Sequence, residues 1–114
     1  MARPQVTVRV DGRVVCETCL VADKPWARMR GLLGRRSLPR GEGILLRPAG
    51  SIHTFFMRFP IDAVFIDRDG KVVGIEHDLK PWRTAGRKGA KAVLEIAAGE
   101  GRARAIATGQ QLAF

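Results

Sequence analysis

"SIHTFFMRFPIDAVFID" (residues 51–67) is the most informative stretch of this 114-residue chain. Apolar and small residues dominate it, and one histidine, one arginine and two aspartates lie among them. Because Pro60 cannot donate a ladder hydrogen bond, we predict two strands, at 52–58 and 62–67, joined by a corner. Most of the stretch must then fill a core, with its polar side chains near the strand ends.

The flanking sequence predicts a mainly β protein. "VTVRV" (6–10) alternates apolar and polar residues, Asp11-Gly12 is a hairpin signal, and "RVVCETCLV" (13–21) returns as the partner strand. Further strands are predicted at 44–46, 71–79, 92–97 and near 111–114. About seven short strands separated by turns are typical of a β-sandwich or a small barrel. The length fits a single domain, 1–114, without room for a second core.

One α-helix, at about 24–34, is predicted to pack against this sheet. Asp23 fits a helix N-cap, and apolar side chains recur after it at helical spacing. The core-facing residues would be Trp26, Met29, Leu32 and Leu33. Arg28, Arg35 and Arg36 would point away from the sheet.

The chain carries a formal net charge of +9, concentrated in two basic runs. Residues 24–40 contain six Lys/Arg and no acid, and residues 80–91 contain five and no acid. Such a surface attracts nucleic acids, anionic lipids and phosphorylated small molecules. A solvated, arginine-rich surface without a binding role would have the same composition. The 80–91 run shows no periodicity and is predicted to be a long surface loop.

The function favoured by these features is binding of an anionic ligand by a small, non-catalytic or accessory protein. The site is expected where the 52–58 strand, the 59–62 corner and the 80–91 loop meet, with His53 near the pocket mouth. The candidate ligand-binding residues are His53, Arg58, Asp62, Arg28 and Trp82.

Each candidate has an expected role. Arg58, His53 and Arg28 would supply charge-assisted hydrogen bonds, and Phe56 and Trp82 would form apolar walls. Strict alternation places His53 and Arg58 on opposite faces of a strand, so they meet only if the chain bends near the proline. A core histidine bonded to the backbone fits the same pattern.

Asp62 starts an apolar run, so its carboxylate needs backbone N–H groups or an arginine, and we expect it to be buried. An alternative function is a small enzyme with a His53/Asp62 acid–base pair within hydrogen-bond reach. A third is nucleic-acid binding through basic runs 24–40 and 80–91, with an exposed tryptophan for stacking. Glu95 is interpreted as an outward-facing strand residue.

Cys16 and Cys19 form a lone C-x-x-C. A structural zinc site needs four ligands, and i and i+3 positions of a regular strand face opposite sides unless a bulge intervenes. We therefore expect reduced thiols, no metal and no cofactor. Nucleophile-elbow, P-loop, H-E-x-x-H and dinucleotide-binding motifs do not occur in the sequence.

Several segments together carry a family resemblance. They are "ARMRGLLGRRSL" (27–38), "GEGILL" (41–46), "IHTFFMRFPIDAVFIDRDGKVV" (52–73), "AVLEIAAGE" (92–100) and "ATGQQL" (107–112). In order and spacing the chain resembles the DUF192 family, also called UPF0127 or COG1430, of uncharacterised prokaryotic proteins. The resemblance implies a compact, mainly β fold with one helix and no established catalytic activity.

The N-terminal sequence lacks the apolar core of a signal peptide, and no run reaches the roughly 20 apolar residues of a membrane span. The expected location is therefore the cytoplasm. The expected state is a monomer or a weak dimer.

Overall fold

The computed structural model describes residues 4–24 and 32–114, and in this part of the chain the protein is mainly β. The strands are β1 (Gln5–Val10), β2 (Arg13–Ala22), β3 (Glu42–Leu46), β4 (Ser51–His53), β5 (Ile61–Ile66), β6 (Val72–Leu79), β7 (Thr84–Gly86), β8 (Ala92–Ala97) and β9 (Leu112–Ala113). One short helix, α1 (Glu100–Ala103), lies in the same ranges. The predicted fold class is confirmed.

Seven of the described strands form one curled sheet, a half-barrel, in the order β6-β5-β8-β3-β2-β1-β9. Neighbours are antiparallel except β2 and β3, which run parallel. The other two strands, β4 and β7, pair with each other as an antiparallel ribbon. In this ribbon Ser51 lies opposite Gly86 and His53 opposite Thr84.

Strand β5 lies in the sheet between β6 and β8, and apolar clusters cover both of its faces. Val64 and Ile66 join the cluster that contains the valines of β1. Phe65 packs on the opposite face, near Ile52 of the ribbon. Because side chains alternate between faces, coverage of both faces buries all six residues of β5.

The structure corrects two predicted elements. The strand predicted at 52–58 ends at His53, because the Met57 N–H bonds to the Thr54 carbonyl (3.2 Å) and the chain turns there. The segment 80–91 is not loop throughout, since Thr84–Gly86 is the strand β7. A three-residue strand is too short to show a period in sequence.

The predicted helix at 24–34 falls mostly outside the described residues, which exclude 25–31 and with them Trp26, Arg28 and Met29. Leu32 and Leu33 lie in a turn and pack against the apolar cluster that contains Ile44 and Ile61. In the described ranges, the only helix is one turn long and could not span a membrane.

Candidate functional site: an exposed aromatic ledge beside the β4–β7 ribbon

Beyond the end of the ribbon, aromatic side chains gather in solvent. Phe56 is 71% exposed, Trp82 55% and Phe55 37%. Together with His53, also exposed, they form a surface that we call the aromatic ledge. Apolar side chains exposed singly are ordinary, but a contiguous apolar patch on a small protein marks an interaction site.

The rings of the ledge touch one another. His53 stacks on Phe55 at 4.9 Å between ring centroids, and Phe55 stacks on Trp82 at 5.9 Å. Phe56 lies against Trp82 at 4.6 Å with its plane tilted by 59°. Two strand connections contribute to the ledge: residues 54–60, between β4 and β5, and residues 80–83, between β6 and β7. The rings of the two connections meet although Trp82 lies 26 residues after Phe56 in the chain.

Thr54 holds the two connections together. It is fully buried, and its hydroxyl donates to the Lys80 carbonyl (2.6 Å) and accepts from the Arg83 N–H (2.9 Å). The backbone adds Thr54 N–H to Arg83 carbonyl at 2.8 Å and Trp82 N–H to Thr54 carbonyl at 3.0 Å. These four bonds fix the position of the backbone beneath Trp82.

Backbone strain coincides with the exposed rings. Phe56 and Trp82 both have φ of 65°, in the left-handed region that bulky residues avoid. Each such residue costs about 1–2 kcal/mol relative to the right-handed region. The two most exposed rings of the ledge are thus held in an unfavourable conformation without the compensation of burial, a combination that accompanies functional sites.

The segments that form the ledge are basic. Residues 51–60 and 80–86 contain three Lys/Arg and no acid. Lys80 pairs with Asp78 at 2.8 Å, whereas Arg58 and Arg83 are exposed and make no ion pair with any acid in the described ranges. Arg83 Nη1 donates to the carbonyl of Trp82 at 3.4 Å, which keeps this guanidinium beside the ledge.

An open groove of about 580 Å³ leads away from the ledge along the ribbon. It is lined by β4, β7 and Phe55, and His53 lies on its wall. The backbone N–H of Phe55 donates to His53 Nδ1 at 3.3 Å, which orients the ring. Whether His53 binds a ligand stays a prediction.

A second, smaller groove of about 220 Å³ is lined in part by Arg47, Arg68, Lys91 and Phe114. The guanidinium of Arg47 lies over the Phe114 ring, 4.8 Å from its centroid. Phe114 is 52% exposed, close to the value for Trp82, but it is not part of the ledge. It is a natural control for experiments on Trp82.

Asp62 is fully buried, in agreement with the expectation from sequence. Its Oδ1 accepts from the Asp78 N–H (2.8 Å), and its Oδ2 accepts from the N–H groups of Gly99 (3.1 Å) and Gly101 (2.8 Å). A Cβ at position 101 would lie 2.9 Å from Oδ2, so this approach requires glycine. Asp62 therefore has the environment of a structural carboxylate.

The structure brings some of the candidate residues predicted from sequence together and places others elsewhere. His53 and Trp82 come together through Phe55, and Arg58 belongs to the same connection. Asp62 makes no hydrogen bond to His53; its histidine neighbour is His77, with Nδ1 at 3.8 Å from Oδ2. Arg28 lies outside the described residues. The acid–base pair proposed for an enzyme is therefore not formed by a direct hydrogen bond, and Asp62 has no exposed surface for substrate.

Glu95 of β8 is buried, so its interpretation as an outward-facing residue was wrong. It lies opposite Ile44 and Ala63 of the neighbouring strands and makes no side-chain hydrogen bond with the described residues. Burial raises the pKa of its carboxyl to about 8. The face of β8 on which Glu95 lies is covered, as is the opposite face with Leu94. The alternation of residues along β8 could not reveal this.

Cys16 and Cys19 are both buried and free. An irregularity in the β1–β2 ladder between Val6 and Val8 brings both into the same apolar cluster. Interaction between the two thiols lowers the pKa of Cys16 and raises that of Cys19, and burial raises the pKa of Cys19 further. The described ranges contain no group of three or more His, Cys, Asp or Glu residues arranged to hold a metal ion.

Sequence reasoning missed that Phe55 and Phe56 are both exposed and that Thr54 is the buried residue between the connections. Alternation assigned one of the two phenylalanines to the core in either register. The available signal was Pro60, which has no backbone N–H to donate to a ladder and so limits how far a strand before it can continue.

The sequence matches the model of the family described as "Uncharacterized ACR, COG1430", DUF192, over residues 6–114. The protein belongs to this family. The match covers every segment that carried the resemblance.

Two solved structures share the fold. A protein of unknown function from Novosphingobium aromaticivorans DSM 12444 superposes with a TM-score of 0.86 at 24% identity, over 96% of this chain and 85% of that one. A protein from Sinorhizobium meliloti 1021, described as "a putative transcription regulator", gives a TM-score of 0.88 at 24% identity, over 99% and 95%. No curated protein matches the chain. At these identities the likeness establishes the fold alone.

Proposed function

We propose that this DUF192 protein is a non-catalytic binding module that holds an anionic ligand against the aromatic ledge. The observation that carries the proposal is the display of Phe56 and Trp82 in solvent with left-handed backbone, in connections that also carry Arg58 and Arg83, two exposed arginines that make no ion pair with any acid in the described part of the chain. Neither feature stabilises the fold, because exposed rings contribute little to a core and cations without acidic partners repel one another.

The ligand would rest on the rings, with Arg58 and Arg83 on its negative groups. Guanidinium groups suit this role because their fixed N–H geometry matches carboxylate and phosphate oxygens. His53 would extend the contact into the groove along the ribbon. Asp62 is assigned to stability in this proposal and does not touch the ligand. The proposal also includes that residues 1–114 form a single domain and that the protein acts in the cytoplasm.

The experiment is a calorimetric titration of the full chain with inorganic polyphosphate at low salt. Arg58→Ala and Arg83→Ala should each weaken binding by about tenfold, since a charge-assisted hydrogen bond contributes about 1.5–3 kcal/mol. The matched control is Arg102→Ala, which removes an exposed arginine from α1. Equal losses in all three variants would mean that only total charge matters, and the proposed site would be abandoned.

A further inference from the structure

We infer that the ligand of the aromatic ledge is single-stranded nucleic acid, with bases stacked on Phe56 and Trp82 and phosphates held by Arg58 and Arg83. This inference rests on the proposed function and adds the class of ligand to it.

The rings distinguish this ligand from a simple anion. Phosphate or a carboxylate would need only the two arginines, and it would make no use of rings exposed to 71% and 55%. A nucleobase offers a flat face to an aromatic side chain, and every base has one, so the contact is strong but tolerant of sequence. In a duplex those faces are covered by neighbouring base pairs, which limits the contact to single strands.

The shape of the surface favours a strand over a free nucleotide. Pockets for small molecules bury most of the ligand surface in an enclosed cavity. Here the rings lie on an open surface that continues into the groove along β4 and β7. An extended chain can cross the ledge and follow this groove, whereas a single nucleotide would remain largely in solvent.

The charge favours nucleic acid over a protein partner. The two connections that form the ledge carry Arg58, Lys80 and Arg83 without any acid, within a chain of net charge +9. The centre of a protein–protein interface is usually depleted of charged residues, whereas a groove for single strands combines aromatic rings with cations. Phe56 and Trp82 lie in the same two connections as Arg58 and Arg83, which make no ion pair within the described ranges, and this combination matches the second pattern.

The test compares two strands of equal length and charge. Fluorescence anisotropy would follow binding of an oligothymidylate of about ten nucleotides, within the usual site size, and of its abasic analogue. Polyglutamate of similar charge serves as a model acidic protein segment. The oligothymidylate should bind about tenfold or more tightly than the abasic strand, and more tightly than polyglutamate.

The ring variants sharpen the result. Trp82→Leu should weaken oligothymidylate binding by about tenfold and leave binding of the abasic strand within about twofold, because only bases stack. Trp82→Phe keeps an aromatic face and should retain most of the affinity, which separates loss of stacking from loss of folding. Phe114→Leu, which removes a ring of similar exposure outside the ledge, should change neither.

The outcomes separate this inference from the proposed function. Equal affinity for the two strands, with sensitivity to Arg58→Ala, would overturn base stacking and leave the anion site in place. Polyglutamate binding as tightly as oligothymidylate would identify an acidic protein as the better ligand class and overturn the inference. If none of the anions binds at low salt, both proposals fail.

Discussion

Two adjacent segments of the chain use their residues in opposite ways. Residues 61–66 form β5, in which even the aspartate is buried and hydrogen-bonded. Residues 51–60 place two phenylalanines in solvent, one of them with φ of 65°, and bury only Thr54 and Met57. The first segment buries its apolar side chains and satisfies its carboxylate, as a stable fold requires. The second exposes apolar rings and holds one of them on a strained backbone. Departures of this kind concentrate where a protein binds something.

The largest effect is expected at Asp62. Asp62→Ala would remove the acceptor of three backbone N–H groups, the buried one of Gly101 among them, and the free energy of unfolding should fall by about 2–3 kcal/mol. Chemical denaturation measures this change. Asp69→Ala, which removes an exposed turn carboxylate, should cost less than about 0.5 kcal/mol. If Asp62→Ala lost ligand affinity without losing stability, the division between the two segments would be wrong.

Glu95 sharpens the comparison from within the buried region. Its raised pKa means that between pH 4.5 and 8 the unfolded chain releases a proton that the folded chain keeps. Stability therefore falls as pH rises through this window, and the loss is complete above the folded pKa. Glu95→Gln should raise the free energy of unfolding by about 2 kcal/mol at pH 8, after allowance for burial of the amide.

The same variant should show no gain at pH 5, because Glu95 is then neutral in the folded protein. Unfolding curves at both pH values give the difference directly. Asp69→Asn, at an exposed turn carboxylate, is the control and should behave alike at the two values. A gain of equal size at pH 5 and pH 8 would show that protonation is not its cause.

Thr54 links stability to the ledge. Thr54→Val keeps the shape of the side chain but removes the bonds to Lys80 and Arg83, at an expected cost of about 1–2 kcal/mol. Ligand binding should weaken too, since the backbone beneath Trp82 loses its support. Thr18→Val, at an exposed position of β2 in the seven-stranded sheet, should change both quantities little. Unchanged stability in Thr54→Val would contradict the role of the hydroxyl.

The smallest effect tests the strain. Phe56→Gly should be more stable than Phe56→Ala by about 1 kcal/mol, because glycine adopts positive φ freely and alanine does not. At Phe55, whose φ is not positive, the order should reverse, since glycine there only adds entropy to the unfolded chain. Thermal melts of the four variants would reveal the contrast. The same order at both positions would remove strain from the argument for the ledge.

Much of the fold could be predicted because its signals are local. Asp11-Gly12 specified the first hairpin, and the apolar run after Asp62 specified a buried strand. Burial of Asp62 was predictable as well, since a carboxylate beside apolar residues needs partners. Its partners were not predictable: Gly99 and Gly101 follow it by 37 and 39 residues and approach only because α1 lies against β5.

The ledge could be predicted only in part. The sequence singled out His53, Arg58 and Trp82 by residue type, and the structure brings His53 and Trp82 together through Phe55. Their roles in binding stay predictions. The exposure of both phenylalanines depends on a turn at Thr54, and the acceptor and donor that stabilise this turn come from residues 80–83.

The sequence by itself determined the first hairpin, the buried strand after Pro60, the excess of positive charge and the family of the protein. These properties follow from side chains a few residues apart, or from simple sums over the chain. The tertiary structure decided which rings remain in solvent, which carboxylates are satisfied and which, like Glu95, are not. Such outcomes depend on the segment that covers each face, and segments distant in sequence supply that cover only after the chain has folded.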